Sequence, residues 1–344
     1  MNVALVIKRA LSRILYSSGL TDNILRRSDR GIIMCYHHVL REDDERIKFL
    51  QPGMYVTTKT FDLHIRYLSN HYQFTRLESL MDFHGCNKIC AITFDDGWAD
   101  NYEFAYPILK KYRVPATIFI ATNYIGSCKW PWPDRLSYYI HKSSGHEMAA
   151  INRIVNDHFP EITKNIILVE KCNKNKLTSV EKIVSFVKSK SYDEISSFME
   201  KVDSYMQHHL KNLEMYHPWL TWKQIKEMSA DEISFGAHTH NHVILSSVSL
   251  NEAKDEIYLS KKILSQQTGK PITSFSYPNG FYHQGIVDIL QMLEFKKAVI
   301  TEVGTINSSK SMFELKRFLL HNDISDCIPM LAYSLSVKLL AEKL

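Results

Sequence analysis

Paired cysteines, long apolar runs and a strong overall charge are all missing from this 344-residue chain. Its six cysteines, Cys35, Cys86, Cys90, Cys128, Cys172 and Cys327, form no Cys-x-x-Cys pair and no regular framework. A reducing compartment is therefore the default, and in an oxidising one Cys86 and Cys90 are the nearest candidates to pair. No internal repeat and no low-complexity linker interrupts the chain. The formal net charge is only +5, and residues 1–30 carry most of it, with Lys8, Arg9, Arg13, Arg26, Arg27 and Arg30 against Asp22 and Asp29. The rest is nearly neutral, which argues against an extended nucleic-acid surface. At the N-terminus Val3, Leu5, Val6, Leu11, Ile14 and Leu15 are broken up by Lys8, Arg9 and Arg13, so no run is long enough for a cleavable signal core or a membrane span. The pattern fits a basic amphipathic helix that docks on its own domain or lies on an anionic membrane surface. The corresponding localisation is cytoplasmic, peripheral on the inner membrane face if the second reading holds.

What is present is enough apolar material, 45% of residues, for a substantial core. The run Gly31–Tyr36 reads as a strand buried on both faces and ends at His37-His38. Thr57 and Thr58 offer N-caps to a helix with Phe61, Ile65 and Leu68 on one side. A strand ending at Asp95, a helix over Trp98–Arg113 and a second buried strand over Ala116–Ile120 follow, and strand–helix–strand order implies a parallel sheet or barrel. From Leu136 to His217 the texture turns helical and rich in Lys, Glu, Ser and Asn, which reads as an insertion between two strands. Ile233–Ala237 then delivers a histidine cluster. Ser249 with Glu252 forms a capping box for a helix that Gly269 stops. Thr273–Tyr277, Lys297–Ile300 and Phe318–Leu320 read as the last strands, and Leu331, Leu335 and Leu339 mark a closing helix. Residues 1–30 thus form a basic segment and 31–344 an α/β barrel interrupted by helices at about 136–217.

Chemistry concentrates at three predicted strand ends: Asp95-Asp96-Gly97, His238-x-x-x-His242 and Pro278-Asn279-Gly280. Strand ends of a parallel barrel converge on one face, so distant stretches build one site. Each piece alone is ordinary: Asp-Asp-Gly is usually a solvated turn, a lone His-x-x-x-His is more often not a metal site, and His240 reads as structural. Together they supply a carboxylate and two imidazoles for a divalent ion at Asp96, His238 and His242, with Asp95 left as general base and a backbone N–H of the 278–280 turn as oxyanion donor. Zn²⁺ suits such a site, and Co²⁺, Ni²⁺ or Mn²⁺ also match the donor set.

Thr93–Gly97 with Trp98-Ala99-Asp100-Asn101, and His238-Thr239-x-x-His242, resemble the first two motifs of the polysaccharide deacetylases, the NodB-homology domain of carbohydrate esterase family 4. Phe275–Gly280 is similar to the third. Tyr36-His37 and Trp130–Leu136 resemble members linked to exopolysaccharide or surface-glycan synthesis. The resemblance covers roughly residues 31–135 and 220–325. It implies a distorted (β/α)7 barrel with a helical insertion that removes N-acetyl groups from amino sugars with a divalent metal. Asp95 matches the base, Asp96, His238 and His242 the metal triad, and Asn279 the position of the oxyanion-hole amide. Many relatives place an Arg in the third motif where this chain has Ser276, and Arg317 is the candidate to take its role from another strand. Leu319-Leu320-His321 resembles the motif that supplies a histidine acid, which nominates His321. The expected partner is an N-acetylated glycan or a lipid-linked sugar. A deformylase or O-deacetylase on the same scaffold, or a glycan-binding protein without activity, are the alternatives.

Overall fold

The computed structural model describes residues 3–80, 87–161 and 173–342. The chain divides into two compact units, one of Met1–Glu42, Tyr55–Gly126 and Trp219–Leu344, the other of Asp43–Met54 and Ser127–Pro218.

The first unit holds the strands β1 (Ile32–Tyr36), β2 (His38–Leu40), β3 (Tyr55–Thr57), β4 (Gln73–Thr75), β5 (Ile89–Phe94), β6 (Ala116–Ile120), β7 (Ile233–Ala237), β8 (Ser274–Ser276), β9 (Lys297–Val299) and β10 (Phe318–Leu319). The main sheet runs β10-β1-β5-β6-β7-β8-β9. Every pairing in it is parallel. Leu315 N–H donates to Ala298 O and Ile300 N–H to Leu315 O, so the segment leading into β10 lies beside β9 and curls the sheet back towards its first strand. This curled parallel sheet, a half-barrel with seven strands along its path, agrees with the distorted (β/α)7 barrel that the resemblance implies. β4 pairs with the first half of β5 and β6 with the second, while β2 and β3 form a separate two-stranded sheet. These three short strands carry no apolar run, which is why the sequence does not announce them.

β1 and β6 are buried along their whole length, the condition for unbroken apolar runs in a parallel sheet. Around them, Thr57 caps the helix Thr58–Ser69, the Ser249–Glu252 box opens Leu250–Thr268, and Gly269 closes it at φ 66°. The helix expected over Trp98–Arg113 departs from plan. It begins as a wide π turn over Asn101–Ala105 and becomes α only at Tyr106–Tyr112. Pro107 has no N–H to give to an i−4 carbonyl, and the backbone widens there.

The second unit is helical: Trp132–Lys142, Gly145–His158, Asn173–Val187, Tyr192–Tyr205 and Gln207–Glu214. Its sequence boundaries differ from the expected 136–217, since it runs from Ser127 to Pro218 and takes in Asp43–Met54. The reason is a long-range contact. Phe49 packs edge-on to Tyr138 with centroids 5.0 Å apart, and its carbonyl accepts the Ser137 hydroxyl. Among the described residues Cys35, Cys90, Cys128 and Cys327 are free thiols, and Cys86 and Cys172 lie outside them.

Candidate active site

The carboxyl ends of β5, β7 and β8 bring the three motifs to one rim. Asp96 Oδ1 stands 3.4 Å from His238 Nε2 and 3.3 Å from His242 Nε2. One donor atom from each of the three lies within 4.8 Å of the others, which makes a metal-sized cluster. Supporting bonds aim these atoms. His238 Nδ1–H donates to Ser276 O at 2.6 Å, so the lone pair is left on Nε2. Trp98 Nε1–H donates to Asp96 Oδ2 at 3.0 Å and turns Oδ1 towards the imidazoles. Trp98 is itself fixed between His38, with ring centroids 4.0 Å apart, and Trp219, stacked at 4.1 Å. His38 in turn bonds Asp100 at 2.7 Å in full burial.

The backbone reaches this arrangement through the left-handed region. Asp96 has φ 77°, Thr239 62°, His242 57° and Asn279 55°. Non-glycine residues rarely adopt such angles, and here they let consecutive side chains leave a strand end in different directions. Gly97, at φ 88°, makes the first turn feasible, because a Cβ there would come within 2.7 Å of Ile120 Cδ1. Glu256, from the helix behind, holds the histidine loop by accepting from the His240 and Asn241 N–H groups at 2.9 and 2.8 Å. His240 faces away from the triad and bonds Thr122 Oγ1 at 2.8 Å.

Beside the triad lies a buried ion pair. Arg317 donates from Nη1 to Asp95 Oδ1 at 2.8 Å and from Nη2 to Oδ2 at 2.7 Å. Its remaining donors reach Ile300 O, Thr93 Oγ1 and Ser276 Oγ, so the guanidinium is fully bonded. Ser276 Oγ–H also donates to Asp95 Oδ2, at 3.3 Å, and Cys35 Sγ reaches the same oxygen at 3.7 Å. Burial alone would raise the Asp95 carboxyl, but the Arg317 charge and hydrogen bonds, helped by His238 and His37, hold it down at about 2. Asp96 is likewise well below the usual carboxylate range, since hydrogen bonds from His238 and His242 outweigh its burial. Burial opposes protonation of His238, yet its bond to Asp96 and the nearby carboxylates raise it above the ordinary histidine value. A metal at this triad therefore competes with a proton.

The structure brings Asp95, Asp96, His238, His242 and Arg317 together. Asn279 sits in its turn after β8, where Gly280 permits a close approach to Thr301. His321 follows β10 at the same end of the barrel and bonds Asp323 Oδ2 at 3.0 Å. His37, after β1, enters the sequence reading as a strand end and in the Tyr36-His37 resemblance, without a role in the chemistry. Burial lowers its pKa, and its charge is felt at both Asp95 and Asp96. Trp98 and Glu256 were also missed as supports. Trp98 had a signal in its place two residues after Asp96, whereas Glu256 had none, being one polar residue on a helix.

The polysaccharide deacetylase profile matches residues 84–161 and 182–298, more than half of the chain. This chain belongs to the polysaccharide deacetylase family. Among curated relatives, YxkH of Bacillus subtilis (strain 168), a protein of polysaccharide deacetylase type, is 26% identical over 268 residues, covering 76% of this chain and 64% of YxkH. The poly-beta-1,6-N-acetyl-D-glucosamine N-deacetylase of Staphylococcus epidermidis is 34% identical over 109 residues, 28% of this chain and 38% of that protein. The chain thus matches less than two thirds of the length of either relative. Of solved structures, the Streptococcus pyogenes deacetylase PplD in complex with acetate superposes with a TM-score of 0.56 at 19% identity, covering 91% of this chain and 99% of that one. IcaB from Ammonifex degensii gives 0.53 at 17%, with 88% and 97% covered. At these identities the likeness shows a shared fold.

Proposed function

We propose that this polysaccharide deacetylase family member is a metal-dependent hydrolase that removes N-acetyl groups from the amino sugars of a polysaccharide or of a lipid-linked surface-glycan precursor. One observation carries the reading: a carboxylate and two imidazoles converge within metal-binding distance directly beside a second carboxylate that an arginine holds ionised. The donor set fits a divalent ion, Zn²⁺ first, with Co²⁺, Ni²⁺ or Mn²⁺ also matching it, held by Asp96 Oδ1, His238 Nε2 and His242 Nε2. When bound, such an ion supplies Lewis acidity to the amide carbonyl and to the attacking water.

The chain's own residues do the rest. Asp95 Oδ2 already accepts from Arg317, Ser276 and Cys35, whereas among the described residues Oδ1 accepts only from Arg317. Oδ1 therefore keeps a lone pair to take the proton of the attacking water. Arg317 fixes the carboxylate's plane and keeps it charged. The backbone N–H of Asn279, set by its left-handed turn, is the donor to the developing oxyanion. The leaving amine needs a proton, and two imidazoles stand at this rim. We assign the role to His321, which follows β10 at this end of the barrel and has Asp323 Oδ2 3.0 Å from its Nδ1 to orient the ring and favour its protonated form.

The test is acetate release by the metal-loaded chain on a panel of N-acetylated glycans, with formate release and ester cleavage measured alongside. Acetate from an amide substrate in the parent and none from Asp95→Ala supports the reading. Formate or ester products alone would move the function to a deformylase or an O-deacetylase, and glycan binding without any product would leave a binding protein. For the proton donor, His321→Ala should flatten one limb of the kcat/KM pH profile. An unchanged profile there, with a change in His37→Ala, moves the role to His37.

A further inference from the structure

The helix Val3–Ser17 is docked on one side and open on the other. Its inner side packs along the closing helix Ile328–Ala341: Ser12 is buried with its hydroxyl against Met330, Arg9 pairs with Asp326 at 2.8 Å, and Lys8 lies over the Tyr333 ring. The outer side carries Val3, Ile7, Leu11 and Ile14 at spacings of three and four residues, hence on one stripe. Val3, Ile7 and Ile14 expose 71, 62 and 66% of their surface, far more than isolated surface hydrophobes on a docked helix need to. Val337 and Leu340 of the closing helix are exposed as well.

Positive charge accompanies this apolar surface, on its own helix and on the one that follows. Arg13 is exposed on the same helix, and Arg26 and Arg27 are exposed at the end of the next helix, Leu20–Arg27. None of the three forms an ion pair among the described residues. Among those residues no helix is long and apolar enough to cross a membrane. An apolar stripe accompanied by unpaired arginines is complementary to a layer with anionic headgroups over acyl chains. It is a poor match for a second copy of itself, since two-fold pairing would bring like charges together.

We infer that this surface binds anionic lipid bilayers peripherally, with the helix lying in the interface plane and its apolar stripe turned to the acyl chains. Docking and membrane contact are then not alternatives, because different faces of one helix serve them. The inference stands independently of the reaction catalysed.

The experiment is flotation of the full chain with vesicles of phosphatidylcholine, alone or mixed with phosphatidylglycerol, at low and high salt. The parent should float with the anionic vesicles and less so as salt rises. Ile7→Glu/Ile14→Glu should lower the partition coefficient by about tenfold or more. Arg13→Gln/Arg27→Gln should lower it less and remove most of the salt dependence. Ile7→Ser/Ile14→Ser serves as a milder variant, and circular dichroism with metal affinity checks that each variant is folded. A parent that stays at the bottom of the gradient overturns the inference. So does equal flotation of both apolar-stripe variants, or a parent that sediments as a dimer and becomes monomeric on Ile7→Glu/Ile14→Glu, which would make the stripe a self-interface.

Discussion

The two ends of the barrel each hold a carboxylate, half-buried at one and fully buried at the other, and they treat it differently. At the amino-terminal end Glu78 accepts from neutral hydroxyls, Ser274 at 2.9 Å and Thr117 at 3.3 Å, while the Lys297 ammonium donates to its backbone carbonyl rather than to its carboxylate. At the carboxyl-terminal rim Asp95 is locked in a bidentate pair with a fully buried arginine. Left-handed residues divide in the same way. Arg113 and Glu294, at φ 54° and 58°, lie just past helix ends, where this conformation is routine. Asp96, His242 and Asn279 adopt it where a strand gives way to a loop, and their side chains or amides are the functional groups. The same backbone device thus ends helices at one end of the barrel and aims chemistry at the other. Strain is informative only when the residue bearing it has a chemical task.

The comparison can be broken most severely at the metal triad. His238→Ala should weaken Zn²⁺ binding by more than about a hundredfold by calorimetry, since loss of a mere supporting bond costs about 10- to 100-fold. An unchanged affinity would show that the triad is not the ligand set. Next comes the buried pair. Arg317→Ala leaves the Asp95 charge unpaired and should destabilise the fold by about 3–5 kcal/mol in urea, whereas Glu78→Gln at the other end should cost about 1 kcal/mol. Similar costs for both would erase the distinction between the two ends.

The third prediction concerns pH. The Asp95 carboxyl is held at about 2 in the fold against an ordinary 3.8. Its pairing therefore stabilises the protein fully above about pH 4 and is lost as pH falls towards 2, a contribution of about 2 kcal/mol. In metal-free protein, stability measured against pH should show this loss in the parent, and Asp95→Asn should lack that component. Trp98→Phe keeps the stacking on Trp219 but removes the hydrogen bond to Asp96, so metal affinity should fall by about tenfold or more with little change in stability. The smallest effect belongs to the helix ends. Arg113→Gly and Glu294→Gly should be neutral or stabilising by up to about 1 kcal/mol by thermal unfolding, because glycine meets no Cβ penalty at φ above zero. A large loss there would mean that these residues also position something.

Much of the framework was legible beforehand. Gly31–Tyr36 is apolar without interruption, and Ala116–Ile120 and Ile233–Ala237 are broken only by Thr117 and Ser234, because parallel strands are covered on both faces, and that pattern survives in the sequence. Asp95, Asp96, His238 and His242 were legible because dense chemistry at predicted strand ends is rare. The recruitment of Asp43–Met54 to the helical unit was not, since Phe49 meets Tyr138 across a long sequence gap and carries no local mark of it. Nor could sequence reveal that the π turn at Asn101–Ala105 precedes Pro107, or that Glu256 clamps the histidine loop.

By itself the sequence determined most of the barrel's buried strands, where those strands end and which donors stand at their ends, because hydrophobic period and side-chain chemistry are local properties. Only the tertiary structure decided that the guanidinium of Arg317 meets Asp95 beside Ser276, that His238 turns Nε2 inward by bonding Ser276 O, and that the N-terminal helix hides one face and shows another. Those are matters of direction between segments far apart in the chain. Direction is set by how the barrel closes and packs, and a residue string does not contain it until the strands are side by side.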